Sequence, residues 1–279
     1  MAHSYEKRIL RVLEYIHENP AGDLSLDTLA DVAAMSRFHW HRVFHAMTGE
    51  TCAQAVRRVR LYRAANWLIY KDWSVAEVAR RAGYPNVQSF TRTFTDAFSV
   101  SPGTFRTKGS LSDFPTRKPK GTYKMFEVEI KRTPARHIAA LLHKGSYTEV
   151  GPCFDKLANI ATKTKLWPNV ECMVGIHYDD PNVIDEANLR CHAGLSVPGN
   201  VPVPNELELV QLQGGDYAIL HYKGPYEGVK IAYDFLFGKW LAETDCIPLD
   251  APCYELYLNN PEDTPPEQLL TDIYLPMAA

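Results

Sequence analysis

The sequence predicts two domains of different class, an all-α domain followed by an α+β domain, and three observations carry that prediction. The first is length: 279 residues, 46% hydrophobic and 23% charged, is enough for two ordinary globular cores. The second is texture. Residues 1–108 read as nearly continuous helix. Residues 122–279 alternate short β-rich runs (FEVEIKR, HIAALLHK, ECMVGIHY, LELVQLQ, DYAILHY, YELYLNN) with two helical segments. Gly109–Gly121, rich in Gly, Pro and Ser, separates the two as a linker. The third is charge. Residues 1–110 hold 15 Lys+Arg against 10 Asp+Glu, a net of +5; residues 122–279 hold 12 against 22, a net of -10. The front half suits a polyanion and the back half does not.

Several classes are excluded. No run of 18 apolar residues is present, so no membrane span or membrane partner is expected. The N-terminal MAHSYEKRILRVLEY carries charges throughout and lacks the apolar stretch of a secretion signal. The six cysteines form no CxxC pair, so free thiols in the cytoplasm are expected, with neither a zinc ribbon nor a disulfide framework. His41 and His45 share a helix face without a third ligand, so no metal site is expected; nor is a cofactor.

Each half repeats internally. In the front half, SLDTLADVAAMSRFHWHRVF (25–44) pairs with SVAEVARRAGYPNVQSFTRTF (74–94). Each copy predicts a helix carrying small residues (Ala30, Ala79), a turn at Ala34 or Gly83, and a second helix. Trp40 and Phe44, like Phe90 and Phe94, are spaced i, i+4 and face inward. That leaves Arg37, Phe38, His41 and Arg42 in the first copy for the outer face, and Val87, Gln88, Ser89 and Arg92 in the second. These are the geometry and residue types of two helix-turn-helix readers, so the expected partner is double-stranded DNA. The helix between them, Cys52–Tyr70, would span about 28 Å, a reach suited to successive major grooves about 34–36 Å apart. Arg57, Arg58, Arg60 and Arg63 on that rod suit the phosphates between.

In the back half, HKGSYTEVGPCFD (143–155) pairs with YKGPYEGVKIAYD (222–234), and HYDDP (177–181) with YLNNP (257–261). Each copy reads strand, strand, helix, strand, strand. The first runs over 126–132, 136–144, 149–165, 172–178 and 189–197. The second runs over 207–212, 216–223, 227–243, 254–259 and 270–276. With the helices covering one sheet face, the uncovered face is expected to form a groove. In YELYLNN, alternation places Glu255, Tyr257 and Asn259 on the groove face, and Leu256 and Leu258 against the helices. A carboxylate among tyrosines attracts apolar cations. Tyr147 and Tyr226, in the two KG-x-Y turns, are expected at the rim, and Trp240 is a further candidate contact.

Two resemblances follow. Residues 5–108 resemble the DNA-binding domain of the AraC/XylS family of transcription regulators. The likeness is carried by Leu29-Ala30, Ser36, Arg42 and Phe44, then Val75 to Ala79, Gly83-Tyr84, Phe90, Arg92, Phe94, Ser101-Pro102 and Arg106. It implies base contacts from Phe38, His41 and Arg42 and from Gln88, Ser89 and Arg92. Val87 departs from the pattern, standing where a polar reader would be useful, and is expected instead on a thymine methyl. Residues 123–279 resemble a GyrI-like domain through GGDYAILHYKGPYEGV, KWLAETD and PCYELYLNNPEDTPPEQLLTDIYLP. This implies two ββαββ-type (SHS2-like) repeats forming a groove, and a hydrophobic, often cationic effector held by a groove glutamate, best matched by Glu255. The pair in this order resembles Rob-like regulators, which implies RNA polymerase as a partner. Two alternatives stand beside it: a GyrI-like hydrolase using Glu255 with Tyr257, or a protein-inhibiting module. No GxSxG, P-loop or GxGxxG is present.

Overall fold

The structure, a computed structural model, describes residues 4–108, 125–244 and 246–278; the linker expected over Gly109–Gly121 lies outside them. The N-terminal half is helical: α1 (Ser4–Glu18), α2 (Leu26–Ala33), α3 (Arg37–Thr48), α4 (Cys52–Tyr70), α5 (Val75–Arg81), α6 (Val87–Phe98) and α7 (Pro102–Lys108). The starts of α2 to α6 are chemically marked. Ser25, Ser36, Thr51, Ser74 and Asn86 each accept a backbone N–H in the first turn of the helix that follows, and Thr51 with Gln54 closes a capping box.

The two helix-turn-helix units turn alike. Ala34 (φ 51°) and Gly83 (φ 76°) take the left-handed conformation, and Met35 and Tyr84 then donate to the carbonyls of Ala30 and Ala79. A β-carbon at Gly83 would lie 2.4 Å from the Pro20 carbonyl oxygen, so the second turn is tied to the loop after α1. Trp40 and Phe44 fill the first core, and Phe90 and Phe94 the second.

The rod α4 forms over the residues expected, but three of its four arginines are occupied within the fold. Arg58 pairs with Glu50 at 2.7 Å, Arg60 donates to the Pro20 carbonyl at 2.7 Å, and Arg63 donates to the His17 carbonyl. Arg57 alone of the four is exposed.

The C-terminal half is one antiparallel sheet of β1 (Glu127–Thr133), β2 (Arg136–Lys144), β3 (Cys172–His177), β4 (Arg190–Val197), β5 (Glu208–Leu212), β6 (Gly215–Lys223), β7 (Cys253–Tyr257) and β8 (Leu270–Met277), in the order β1-β6-β8-β7-β3-β4-β2-β5. The edge strands are exchanged: β1 pairs with β6, and β5 with β2. Helix α8 (Gly151–Lys163) packs on β2 and β4. Helix α9 (Val229–Phe235) runs through a π turn (Leu236–Trp240) into α10 (Leu241–Glu243) and packs on β6 and β8.

Two expectations need correction here. Glu255 and Tyr257 share a face with Ile273 and Ala193, the face that carries both helices. Glu255 and Tyr257 therefore lie over β3 and β7 on the helix side of the sheet, and not on its uncovered face. Leu256 points to the opposite face, into a cluster with Tyr217, Tyr254 and Tyr274. Strand β7 also ends at Tyr257. Asn259 lies beyond it and organises a turn, accepting from Leu270 N at 2.9 Å and donating to the Gln268 carbonyl at 3.0 Å.

Candidate functional site

The groove floor is built from facing pairs on β3 and β7. Gly175 lies opposite Glu255 and His177 opposite Cys253. The internal repeat aligns Gly175 with Glu255, and His177 with Tyr257. The floor thus carries one carboxylate, and the space its symmetry mate would fill belongs to a tyrosine: a β-carbon at Gly175 would lie 2.5 Å from the Tyr257 hydroxyl.

Glu255 is 5% exposed, which is costly for an ion unless its oxygens are satisfied. Tyr233 donates to Oε1 at 3.0 Å, Tyr257 donates to Oε2 at 3.1 Å, and His177 Nε2 lies 3.3 Å from Oε1. Burial raises the Glu255 pKa, but His177 and the two tyrosine hydrogen bonds outweigh it and hold the carboxyl below the usual carboxylate range. Burial and the Glu255 charge together hold Tyr233 and Tyr257 well above the usual phenol range, so both remain donors.

Aromatic rings wall the carboxylate. Tyr226, 37% exposed, packs edge-on against Tyr257 at 5.4 Å, and Phe154 packs on the same ring at 5.6 Å. Tyr147 packs edge-on against His177 at 4.8 Å, while its hydroxyl donates to the Asp179 carbonyl at 2.9 Å. Of the residues expected at the groove, Glu255, Tyr257, Tyr147 and Tyr226 come together. Trp240 packs instead against the apolar cluster that joins the two halves of the chain. His177, Tyr233, Phe154 and Phe237 went unrecognised in sequence. The repeat itself held the signal, because Phe154 aligns with Tyr233 and His177 with Tyr257.

The two readers differ in accessibility. On α6, Val87, Gln88 and Arg92 are exposed and Ser89 partly so, as expected. On α3, Arg37 is exposed and Phe38 half-buried, but His41 and Arg42 are not on an open face. His41 Nδ1 lies 2.9 Å from Asp180 Oδ2. Arg42 donates to the Asp179 carbonyl at 2.9 Å, and its guanidinium sits 5.4 Å from the Tyr233 ring centre and 5.7 Å from that of Phe237. The cause is a packed interface. Val43, Ala46 and Tyr5 are buried in one cluster with Leu236, Phe237 and Leu241. His39 stacks on Phe237 at 5.6 Å, Ser36 donates to Asp250 at 2.6 Å, and Tyr5 donates to the Cys246 carbonyl at 2.6 Å.

The geometry defines a tandem helix-turn-helix protein joined to a sheet domain with a buried carboxylate ringed by aromatic side chains. The chain belongs to the GyrI-like small molecule binding domain family, matched over residues 126–278, with an AraC/XylS-type helix-turn-helix domain, matched over 29–108, ahead of it. The probable transcription factor PqrA of Proteus vulgaris is 34% identical over 113 residues, 40% of this chain and 92% of that protein. The uncharacterized HTH-type transcriptional regulator YbfP of Bacillus subtilis is 31% identical over 103 residues, and the match spans 37% of this chain and 35% of YbfP. The crystal structure of the EcmrR C-terminal domain covers 56% of this chain and 99% of its own, at 13% identity and a TM-score of 0.45. Among the described residues no helix is long and apolar enough to cross a membrane.

Proposed function

We propose that the chain is a sequence-specific DNA-binding transcription regulator whose second domain binds a hydrophobic cationic effector. Residues 1–108 read DNA, 109–121 link, and 122–279 form the sensing domain of two ββαββ-type, SHS2-like repeats. DNA is contacted by Arg37, Phe38, His41 and Arg42 from α3 and by Val87, Gln88, Ser89 and Arg92 from α6. RNA polymerase is the protein partner. The observation that carries the effector reading is Glu255: a buried carboxylate kept ionised by His177 and two tyrosine hydroxyls and walled by rings. Such a site rewards a cation that brings its own apolar surface.

The hydrolase alternative asks Glu255 to exchange a proton near neutral pH. A carboxyl held below its usual range suits a permanent counter-ion better than a general acid. The DNA reading is tested by duplex binding. Affinity should fall steeply with salt and drop on Arg92→Ala; salt-independent binding unaffected by Arg92→Ala would reject it.

A further inference from the structure

The groove and the first reader meet at one side chain. Arg42 lies over Tyr233, the residue whose hydroxyl holds Glu255 Oε1. The guanidinium thus sits where a cation drawn toward Glu255 would also find an aromatic face. Held against the Asp179 carbonyl and the Tyr233 and Phe237 rings, the guanidinium is off the open helix face that a base edge would meet.

The internal repeat marks this contact as specific. Asp179 and Asp180 align with Asn259 and Asn260. All four organise the same kind of turn. Asp179 accepts from Arg190 N as Asn259 accepts from Leu270 N, and Asp180 accepts from Asn182 N as Asn260 accepts from Glu262 N. Neutral asparagines therefore suffice for the turn. Of the two acids, Asp179 pairs within its own domain with Arg190 at 2.8 Å, while Asp180 faces the basic side of α3, pairs with His41 and lies in the field of Arg42. Val43 and Ala46, fully buried against the second domain, are apolar positions on the same helix that this docking removes from water. The second reader, with Gln88 and Arg92 exposed, has no such cover among the described residues.

We propose that Arg42 is a tethered occupant of the effector groove: in the cation-free chain the Asp179–Asp180 turn and the Tyr233–Phe237 rings hold the first reader off DNA, and a lipophilic cation entering beside Tyr233 displaces Arg42 and releases α3. This rests on reading the chain as a DNA-binding regulator with a cation-binding groove. Cation and DNA then favour the same undocked state and strengthen each other's binding. A chain that is about nine-tenths docked binds DNA about tenfold more weakly than its open form.

The experiment uses the full chain, with duplexes selected from a randomised pool by the wild type and by Asp180→Asn in parallel, and tetraphenylphosphonium as the cation. If neither chain selects a duplex whose binding is lost on Arg92→Ala, the regulator reading fails and this inference with it. With a selected duplex, Asp180→Asn should bind about tenfold more tightly than wild type without cation. Saturating tetraphenylphosphonium should tighten wild type about tenfold and the variant less than twofold. Equal affinity of the two chains without cation overturns the masking alone. Bound cation that leaves wild-type DNA affinity unchanged overturns the displacement alone. A Ser36→Cys/Asp250→Cys pair, whose native side chains already meet at 2.6 Å, provides a check independent of the turn. Oxidised, it should abolish the response to cation, and dithiothreitol should restore it; a response that survives oxidation overturns the proposal.

Discussion

Replacing Glu255 by Gln removes the groove's charge while keeping its shape. The amide still offers an acceptor to one of the two tyrosine hydroxyls that meet the carboxylate at 3.0 and 3.1 Å, and those hydroxyls can rotate to accept from its NH2 group. A cation resting beyond the hydroxyls would sit about 5 Å from the carboxylate, where unit charges attract by about 3 kcal/mol at an effective dielectric of about 20. The expected loss is therefore about a hundredfold in tetraphenylphosphonium affinity, measured by isothermal titration. A neutral analogue, triphenylphosphine oxide, should lose less than threefold. The Glu255 pKa lies below the carboxylate range, so the charge persists as pH falls until that lowered value is reached. The Glu255 charge should thus persist from about pH 8 to about pH 5, so its protonation should cost no cation binding in that range. A Glu255→Gln chain that binds the cation within threefold of wild type, or loses both molecules equally, refutes the electrostatic account.

Three further outcomes follow from the same geometry. Gly83→Ala places a β-carbon 2.4 Å from the Pro20 carbonyl at a φ of 76°, so it should destabilise the helical domain by about 2 kcal/mol or more, seen as a lower thermal midpoint; an unchanged midpoint would mean the turn relaxes freely. Arg92→Ala touches an exposed side chain, so it should cost about 1–3 kcal/mol of DNA binding with no change in melting. Burial, then the charges of Arg42 and His41, hold the buried His39 at about 3, against 6.5 when exposed. The exposed state therefore binds more protons between those values, and His39's contribution to docking is complete above about pH 6.5 and declines below it. Wild type should lose about 2 kcal/mol more stability than His39→Leu between about pH 7.5 and about pH 5; parallel melting curves would rule this out.

Much of this was legible from the chain because periodicity and small residues leave local marks. The rod Cys52–Tyr70, the turns at Ala34 and Gly83, and the inward pairs Trp40–Phe44 and Phe90–Phe94 all depend on contacts close in sequence. Alternation likewise put Glu255 and Tyr257 together on one face of a strand. Alternation does not say which face a helix covers, and the groove was assigned to the uncovered side for that reason. Asn259 was carried onto the strand because its neighbours alternate, whereas its side chain serves the following turn. A helix shows its own polarity but not its distant partner, so sequence reads His41 and Arg42 onto an open face: the Asp180 carboxylate and the Asp179 carbonyl that meet them lie about 140 residues away. The repeat carries the missing information in Asp180, which stands where the second copy has Asn260 and pairs with His41.

The central claim, that the second domain covers one reader and leaves the other exposed, is tested most directly by hydroxyl-radical labelling of the DNA-free wild-type chain, with and without tetraphenylphosphonium. The account predicts that His41 on α3 is protected without the cation and labelled with it, while Val87 on α6 is labelled equally in both. Equal labelling of His41 with and without bound cation would contradict it.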